Sequence, residues 1–340
     1  MPSNNIDILN SLNVGIRSFP KDIFLKYAAP HELVMRLTKK AAGFSDPINM
    51  QDNRACFEAW CLIIKAKASD PDLKIWLYVK DITAADYDGK LPKNGHLGRF
   101  LYRILKFSEQ YKDWFKLSPF LDNLKNKFKT YLDSHTFVTS VPAKKTKEDI
   151  ANYNLESYVE YLFCDSISAQ KDILNLPSET TIDRQLPVSL FDVTKSKKTG
   201  VFTFGKSAVD FWALNGDTIN VYELKSDNPM VGIITEIFFY SNYVHDVFIS
   251  KSLDHGKGSV EIEDGTYRSY DKIKGNKGKQ VKGIMLSNSN RKGWHSSLVP
   301  PIRTAIETIM NANGMSGAIQ YEFLEYQLNP LKIGGYYISK

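Results

Sequence analysis

The stretch from Ser207 to Pro229, SAVDFWALNGDTINVYELKSDNP, decides how this chain is read. Its two arms, VDFWAL and TINVYEL, are rich in β-branched and aromatic residues, which favour pleated strands. Between them stand Asn215 and Gly216, a strong short-range hairpin signal. A two-residue type I′ loop on that pair sets Leu214 opposite Asp217 and, further back, Asp210 opposite Val221. Directly paired residues share a sheet face, as do residues two apart along a strand. Asp210, Val221, Glu223 and Lys225 therefore share one face, with Glu223 diagonal to Asp210 at roughly 7–8 Å between backbones. At that range both carboxylates reach one ion. Val209, Phe211, Ala213, Tyr222 and Leu224 take the other face and read as core. Charges gathered on a sheet face are costly unless paired or solvated. A cross-strand Asp–Lys or Glu–Lys pair on a solvated face leaves the same letters, so the neighbourhood has to decide.

The whole chain narrows the choice. Its 340 residues suit two domains with sizeable cores. Hydrophobic residues at 43% and charged residues at 24% are ordinary for a soluble globular protein. No run approaches a membrane span, and the start, MPSNNIDILN, does not read as a signal peptide. Cys56, Cys61 and Cys164 cannot make a disulfide framework, so a reducing cytoplasm is the expected location. The six histidines are scattered without metal-ligand spacing, which disfavours zinc. Charge is divided unevenly: 23 basic against 15 acidic residues in 1–145, and 21 against 23 in 146–340. The first part, at +8, suits a polyanion partner; the second, at −2, does not ask for one.

Periodicity divides the chain at the same place. Residues 1–145 read as a mainly helical basic domain, with helices around LVMRLTKKA, NRACFEAWCLIIKAKA, LGRFLYRILKFSEQYKDWF and SPFLDNLKNKFKTYL. KIWLYVKDI (Lys74 to Ile82) is one strand in their midst, followed by a polar loop, ADYDGKLPKNGH. VPAKKTKED (Val141 to Asp149) reads as a linker. Residues 146–340 have another grammar. NLESYVEYLFCDSI is an amphipathic helix, and TIDRQLPVSLFDV a strand whose Pro187 belongs at an edge or bend. The hairpin comes next, then MVGIITEIFFYSNYVHDVFI, apolar nearly all round and hence a buried helix. QVKGIMLSN is a strand, PPIRTAIETIMNAN a Pro-started helix and IQYEFLEYQL a late strand. The order predicts an α/β fold, a mixed sheet flanked by helices.

That order, with those charges, resembles the PD-(D/E)XK nuclease superfamily, whose restriction-endonuclease-like fold is shared by many restriction, repair and recombination nucleases. The resemblance spans roughly residues 150–290. It places an Asp in one core strand and (Asp/Glu)-x-Lys in the next: here Asp210, then Glu223-Leu224-Lys225. Many members add a Glu from the preceding helix, matched best by Glu156, with Glu160 one turn on as the alternative. Many also carry Gln-x-x-x-Tyr in the helix after the Lys; this chain departs there, with Glu236 and Tyr240 at that spacing. The usual Pro before the first Asp is replaced by Val209.

The resemblance implies phosphodiester hydrolysis in DNA with Mg²⁺, for which Mn²⁺ substitutes, and endonucleolytic rather than exonucleolytic cutting, in restriction, repair or phage defence. Asp210, Glu223 and the Leu224 carbonyl, with Glu156, would hold the ion. Lys225 would position or activate the attacking water. The alternative it leaves is a catalytically inactive nucleic-acid-binding subunit of a restriction or defence complex; the intact Asp210, Glu223 and Lys225 argue against it. Glu236 reads more readily as a structural partner of Lys225 than as a catalytic group.

Basic stretches supply the candidate nucleic-acid contacts. DKIKGNKGKQVK brings Lys272, Lys274, Lys277 and Lys279 together in a Gly-punctuated loop, and TKSKKTG (Thr194 to Gly200) is a second. Arg99 and Arg103, at helical i, i+4 spacing, either clamp phosphates or pair with acids. Residues 1–145 are also open to a protein partner, and a homodimer is an open assembly.

Overall fold

The structure is a computed structural model that describes residues 5–16, 18–83, 94–143, 152–165, 169–203, 207–226, 231–253, 268–290, 299–312, 317–331 and 336–339. Most of the loop expected before the third helix (85–96), most of the expected linker and the expected boundary at 145/146 lie outside them. In chain order the elements are α1 (Asn5–Ser11), β1 (Ile23–Ala29), β2 (Glu32–Leu37), α2 (Phe57–Lys67), β3 (Lys74–Val79), α3 (Gly95–Gln110), β4 (Phe115–Leu117), α4 (Pro119–Ser134) and β5 (Phe137–Val138). There follow α5 (Leu155–Asp165), α6 (Ala169–Ile173), β6 (Thr181–Pro187), β7 (Phe191–Asp192), β8 (Ala208–Asn215), β9 (Thr218–Lys225) and α7 (Gly232–Val244). The chain closes with α8 (Tyr270–Gly275), β10 (Gln280–Asn288), α9 (Val299–Ala305), β11 (Ile319–Pro330) and β12 (Tyr336–Ser339). The fold is mixed α/β.

The main sheet has six strands in the order β12-β11-β10-β9-β8-β6. β9, β10 and β11 run parallel, while β6-β8-β9 and β11-β12 are antiparallel. β6 is an edge strand, so Pro187 at its end removes no ladder bond the sheet needs. The β8–β9 hairpin forms, with its loop one residue later than expected. Asn215 pairs with Thr218, leaving Gly216 and Asp217 as the loop. Of the two loop residues Gly216 alone has positive φ, at 57°, as a type II′ loop takes at its first central position; I′ would need it at Asp217 as well. Shifting the loop by one residue moves every cross-strand pair by two, so both faces keep their residues from Phe211 to Leu224; Val209, expected beside Phe211, instead joins the larger core with Trp212 and Val221. Asp210 is thereby brought level with Glu223 instead of diagonal to it.

The two faces are covered differently. Phe211, Ala213, Tyr222 and Leu224 lie under α5, where the Phe163 and Phe211 rings stack at 5.3 Å. On the other face, Trp212 and Val221 join the larger core with α7, all 13 residues of which are buried. Each buried Phe or Ile of such a helix contributes about 1.5–3 kcal/mol relative to exposure.

The N-terminal part departs from its expected helical character. β1, β2, β3 and β4 form a four-stranded sheet, where one strand was expected. LVMRLTKKA, read as a helix, supplies β2: its apolar run pairs antiparallel with β1 across the Pro30-His31 turn and parallel with β3. An apolar run of four with a charge inside fits either period, and pairing on both sides decides for the strand. This part also shares its core with the C-terminal half. α2 packs on α7 and α9, and Phe107 meets Phe238 at 5.5 Å. Gly232 explains how close the approach is: a Cβ there would collide with the Gln51 carbonyl. The loop carrying Gln51 thus lies directly on the start of α7.

Candidate active site

The β8–β9 ladder runs as far as Phe211↔Tyr222, and beyond it the Asp210 carboxylate replaces the backbone as partner. Its Oδ2 accepts the Leu224 N–H at 2.7 Å. That bond pins Asp210 beside β9, next to the two charged residues of the same face. Lys225 Nζ lies 2.5 Å from Glu223 Oε1 and 3.1 Å from Glu236 Oε2 of α7. All three side chains are buried. The Gln51 amide faces Glu236 and, with its nitrogen turned toward the carboxylate, donates to Oε1 at 2.7 Å and Oε2 at 3.1 Å. The result is a chain of contacts from the N-terminal half to the sheet: Gln51, Glu236, Lys225, Glu223.

Among the described residues, charge in this cluster does not balance. Asp210, Glu223 and Glu236 surround one ammonium. Burial pushes the Asp210 carboxyl well above its usual range, and Lys225 only partly reverses this. Burial raises Glu223 as well, reinforced by repulsion from Asp210 and Glu236. Its Oε2 is buried without a hydrogen-bond donor. For Lys225, burial opposes the charge, but Glu223, Glu236 and Asp210 outweigh it and hold the side chain as an ammonium. An orphaned carboxylate oxygen and excess buried negative charge call for protons or for a cation.

The donor chemistry fits a hard divalent ion. Among the described residues, no three His, Cys, Asp or Glu side chains converge as a metal cluster. The protein would therefore supply few ligands, Asp210 and Glu223 foremost, and leave the remainder to water and substrate. Mg²⁺ is commonly held in this way.

Glu156 and Glu160, one turn apart on α5, have different surroundings. Glu156 lines the same cleft as Asp210 and repels it electrostatically. Glu160 is buried and accepts from Gln185 Nε2 at 2.5 Å, with Arg184 Nη1 at 3.9 Å. Burial lifts its pKa to about 7 despite those partners. Gln185 stands level with Asp210 across β6–β8 and holds φ at 59°, a left-handed conformation uncommon for a residue with a side chain. Tyr240, one turn beyond Glu236, is buried at the cleft, and burial with the neighbouring carboxylates pushes its hydroxyl pKa up.

The cleft, about 1050 Å³, runs between the sheet end and the N-terminal half. Asp210, Glu223, Lys225 and Glu236 line it from one part of the chain, and Gln51, His96 and Arg99 from the other. The basic residues divide sharply. Lys195 and Lys197 of the 194–200 loop line the cleft. The 272–279 lysines are placed elsewhere: Lys279 bonds to Asp217 through its N–H at 2.8 Å and its Nζ at 3.0 Å. Asp217 is at the hairpin tip, eight residues or roughly 25 Å of strand from Lys225. Lys272, Lys274 and Lys277, in α8 and the turn after it, do not line the cleft either. Arg103 takes the acid-pairing alternative: its fork is buried on Glu58, with Nε 2.5 Å from Oε1. It is closed to a phosphate, whereas Arg99 opens on the cleft.

Sequence reasoning missed Gln51 and Gln185. Neither carries a local signal, since Gln51 arrives through the Gly232 contact and Gln185 through its left-handed backbone. Comparison of the chain with protein-family models, with curated proteins and with solved structures finds no match in any of the three.

Proposed function

We propose that the chain is a Mg²⁺-dependent nuclease with a restriction-endonuclease-like arrangement, cutting phosphodiester bonds within DNA. The reading is carried by one observation: Asp210 and Glu223 meet at the end of a hairpin, in a buried cluster with more carboxylates than its single ammonium, Lys225, offsets. The order of elements supports it, with a helix on each face of a mixed sheet and the acidic pair at the strand ends beside a cleft.

In this reading Asp210, Glu223 and the Leu224 carbonyl hold the ion, with Glu156 of α5 as a further ligand. The ion, when bound, supplies a Lewis acid for the scissile phosphate and a means of making hydroxide near neutral pH. Lys225, held as an ammonium, orients water or a phosphate oxygen and offsets charge that grows in the transition state. Glu236, itself held by Gln51, fixes where that ammonium sits. The N-terminal half closes the other side of the cleft and contributes to substrate binding.

The test is incubation of the purified chain with supercoiled plasmid, in Mg²⁺ or in EDTA. Nicked or linear product in Mg²⁺ alone, lost in Asp210→Asn, is the expected result. Intact supercoiled plasmid in both buffers, or cutting unchanged by Asp210→Asn, contradicts the proposal.

A further inference from the structure

Arg99 and Arg103 occupy successive turns of α3, and both are buried. Arg103 is fully engaged by Glu58 and the Ala55 carbonyl. Among the described residues Arg99 meets no carboxylate: Nη1 donates to Ser207 Oγ at 2.9 Å, and Nη2 meets His96 Nδ1 at 3.2 Å. Its Nε is buried without a hydrogen-bond partner. No described carboxylate forms an ion pair with it. A guanidinium carries five N–H groups, and these two bonds engage two of them. A buried cation left in this state is expensive for the fold. Burial, only weakly countered by Tyr240 and Glu236, brings its pKa down to about 10, so it stays charged near neutrality.

The surroundings indicate what completes it. Arg99 lines the cleft that holds Asp210 and Glu223, and Lys195 and Lys197 line the same cleft from an ordered loop. That loop is fixed by Ser196 N–H to Thr199 Oγ1 at 3.1 Å and Asp192 N–H to Thr199 O at 2.8 Å. Asn94 caps α3 by accepting from the His96 and Leu97 amides, each at 2.9 Å, so the free Nε, rather than the helix end, is the donor on offer. A planar fork in a low-dielectric cleft suits a tetrahedral oxyanion.

We propose that Arg99, with Lys195 and Lys197, forms a phosphate subsite that grips a backbone phosphate of the substrate strand apart from the bond being cut. The identity of that strand rests on the nuclease reading; the subsite does not. It assigns the N-terminal half a direct part in holding the nucleic acid, through one buried arginine instead of a diffuse basic face.

Two measurements test it on the full chain carrying Asp210→Asn, in EDTA. The first is binding of a fluorescent single-stranded dodecathymidylate across a salt series. Arg99→Gln should weaken binding by about 10- to 100-fold and make the slope of log affinity against log salt shallower by about 0.7. Arg99→Lys should keep the slope and part of the affinity. Unchanged affinity and slope in a folded Arg99→Gln chain overturn the subsite.

The second needs no substitution at the site in the probed sample. The Arg99 Nε–H resonance, identified by its disappearance in Arg99→Lys, should shift on titration with hexathymidylate. A resonance that stays put while the oligonucleotide binds overturns the proposal even if Arg99→Gln fails to fold. Plasmid cutting by the unsubstituted chain separates the two claims. Cutting without any Arg99 response keeps the nuclease and loses the subsite; an Arg99 response without cutting does the reverse.

Discussion

Two buried charge clusters stand about one helix apart in this protein, and they are built on opposite rules. In the first, Glu58 receives Arg103 on both carboxylate oxygens and the Thr235 hydroxyl at 3.1 Å, while Arg103 also donates to the Ala55 carbonyl. One negative charge meets one positive, and the groups bond to one another. In the second, Asp210, Glu223 and Glu236 gather around Lys225, and Glu223 Oε2 has no donor. The first cluster is closed and fixes α2, α3 and α7 together. The second opens on a cleft with acid to spare. Burial alone therefore does not single out a candidate site; the unbalanced buried charge facing the cleft is what the proposed function rests on.

Breaking each cluster should have opposite consequences. If the proposed nuclease function holds, Asp210→Asn or Lys225→Met should lower plasmid cutting by a factor on the order of 10³ or more, as expected of groups that act mainly in the transition state. The melting temperature of Asp210→Asn should hold or rise, since a costly buried charge is removed. Glu58→Ala should do the reverse. It strands a buried guanidinium and should cost about 3–5 kcal/mol of stability in denaturant unfolding, with cutting per folded molecule little changed. A Glu58 variant that folds normally would undo the contrast.

Proton linkage sharpens the contrast. Glu160, Asp210 and Glu223 all have folded-state pKa values above their ordinary range. Folding therefore takes up protons, and their contribution to stability is full below the ordinary carboxylate range. For Glu160 it is lost as pH rises from about 4.5 through about 7. In EDTA, stability should fall across that window, and Glu160→Gln should flatten part of the fall. Mg²⁺ should restore stability at pH 8, raising the melting temperature by about 2–4 °C, with little effect at pH 5. Equal Mg²⁺ effects at both pH values would remove the cation from the explanation. The smallest effect belongs to Gln51→Ala. Losing its bonds to Glu236 loosens Lys225 and should reduce cutting by about 3- to 10-fold, near 1 kcal/mol, with Gln51→Glu worse because it adds a fourth carboxylate.

Much of the sheet was legible in the sequence, because period-2 patterning assigns faces without knowledge of the turn. Asp210, Glu223 and Lys225 were placed on one face, and they lie there even though the loop moved to Gly216-Asp217. The buried helix Gly232–Val244 and the edge position of Pro187 followed from composition and from proline's missing N–H. What escaped is what depends on distant pairing. The run around Leu33–Leu37 fits helix and strand alike until β1 and β3 flank it. Both stretches are lysine-rich with glycine, and only the fold puts Lys195 and Lys197 at the cleft and Lys279 at the far hairpin tip. Arg99 and Arg103 share one helix face in sequence, yet the position of Glu58 in α2 decides which of them is closed.

The claim that the second cluster is unbalanced because it is made for a divalent cation is tested most directly by anomalous scattering from crystals grown with Mn²⁺. The account expects one strong peak at metal-coordination distance from oxygens of both Asp210 and Glu223, with Lys225 still within hydrogen-bonding distance of Glu236, and no peak there in Asp210→Asn. A fully occupied Mn²⁺ bound elsewhere, with Lys225 still bridging Glu223 and Glu236 as it does now, would contradict it.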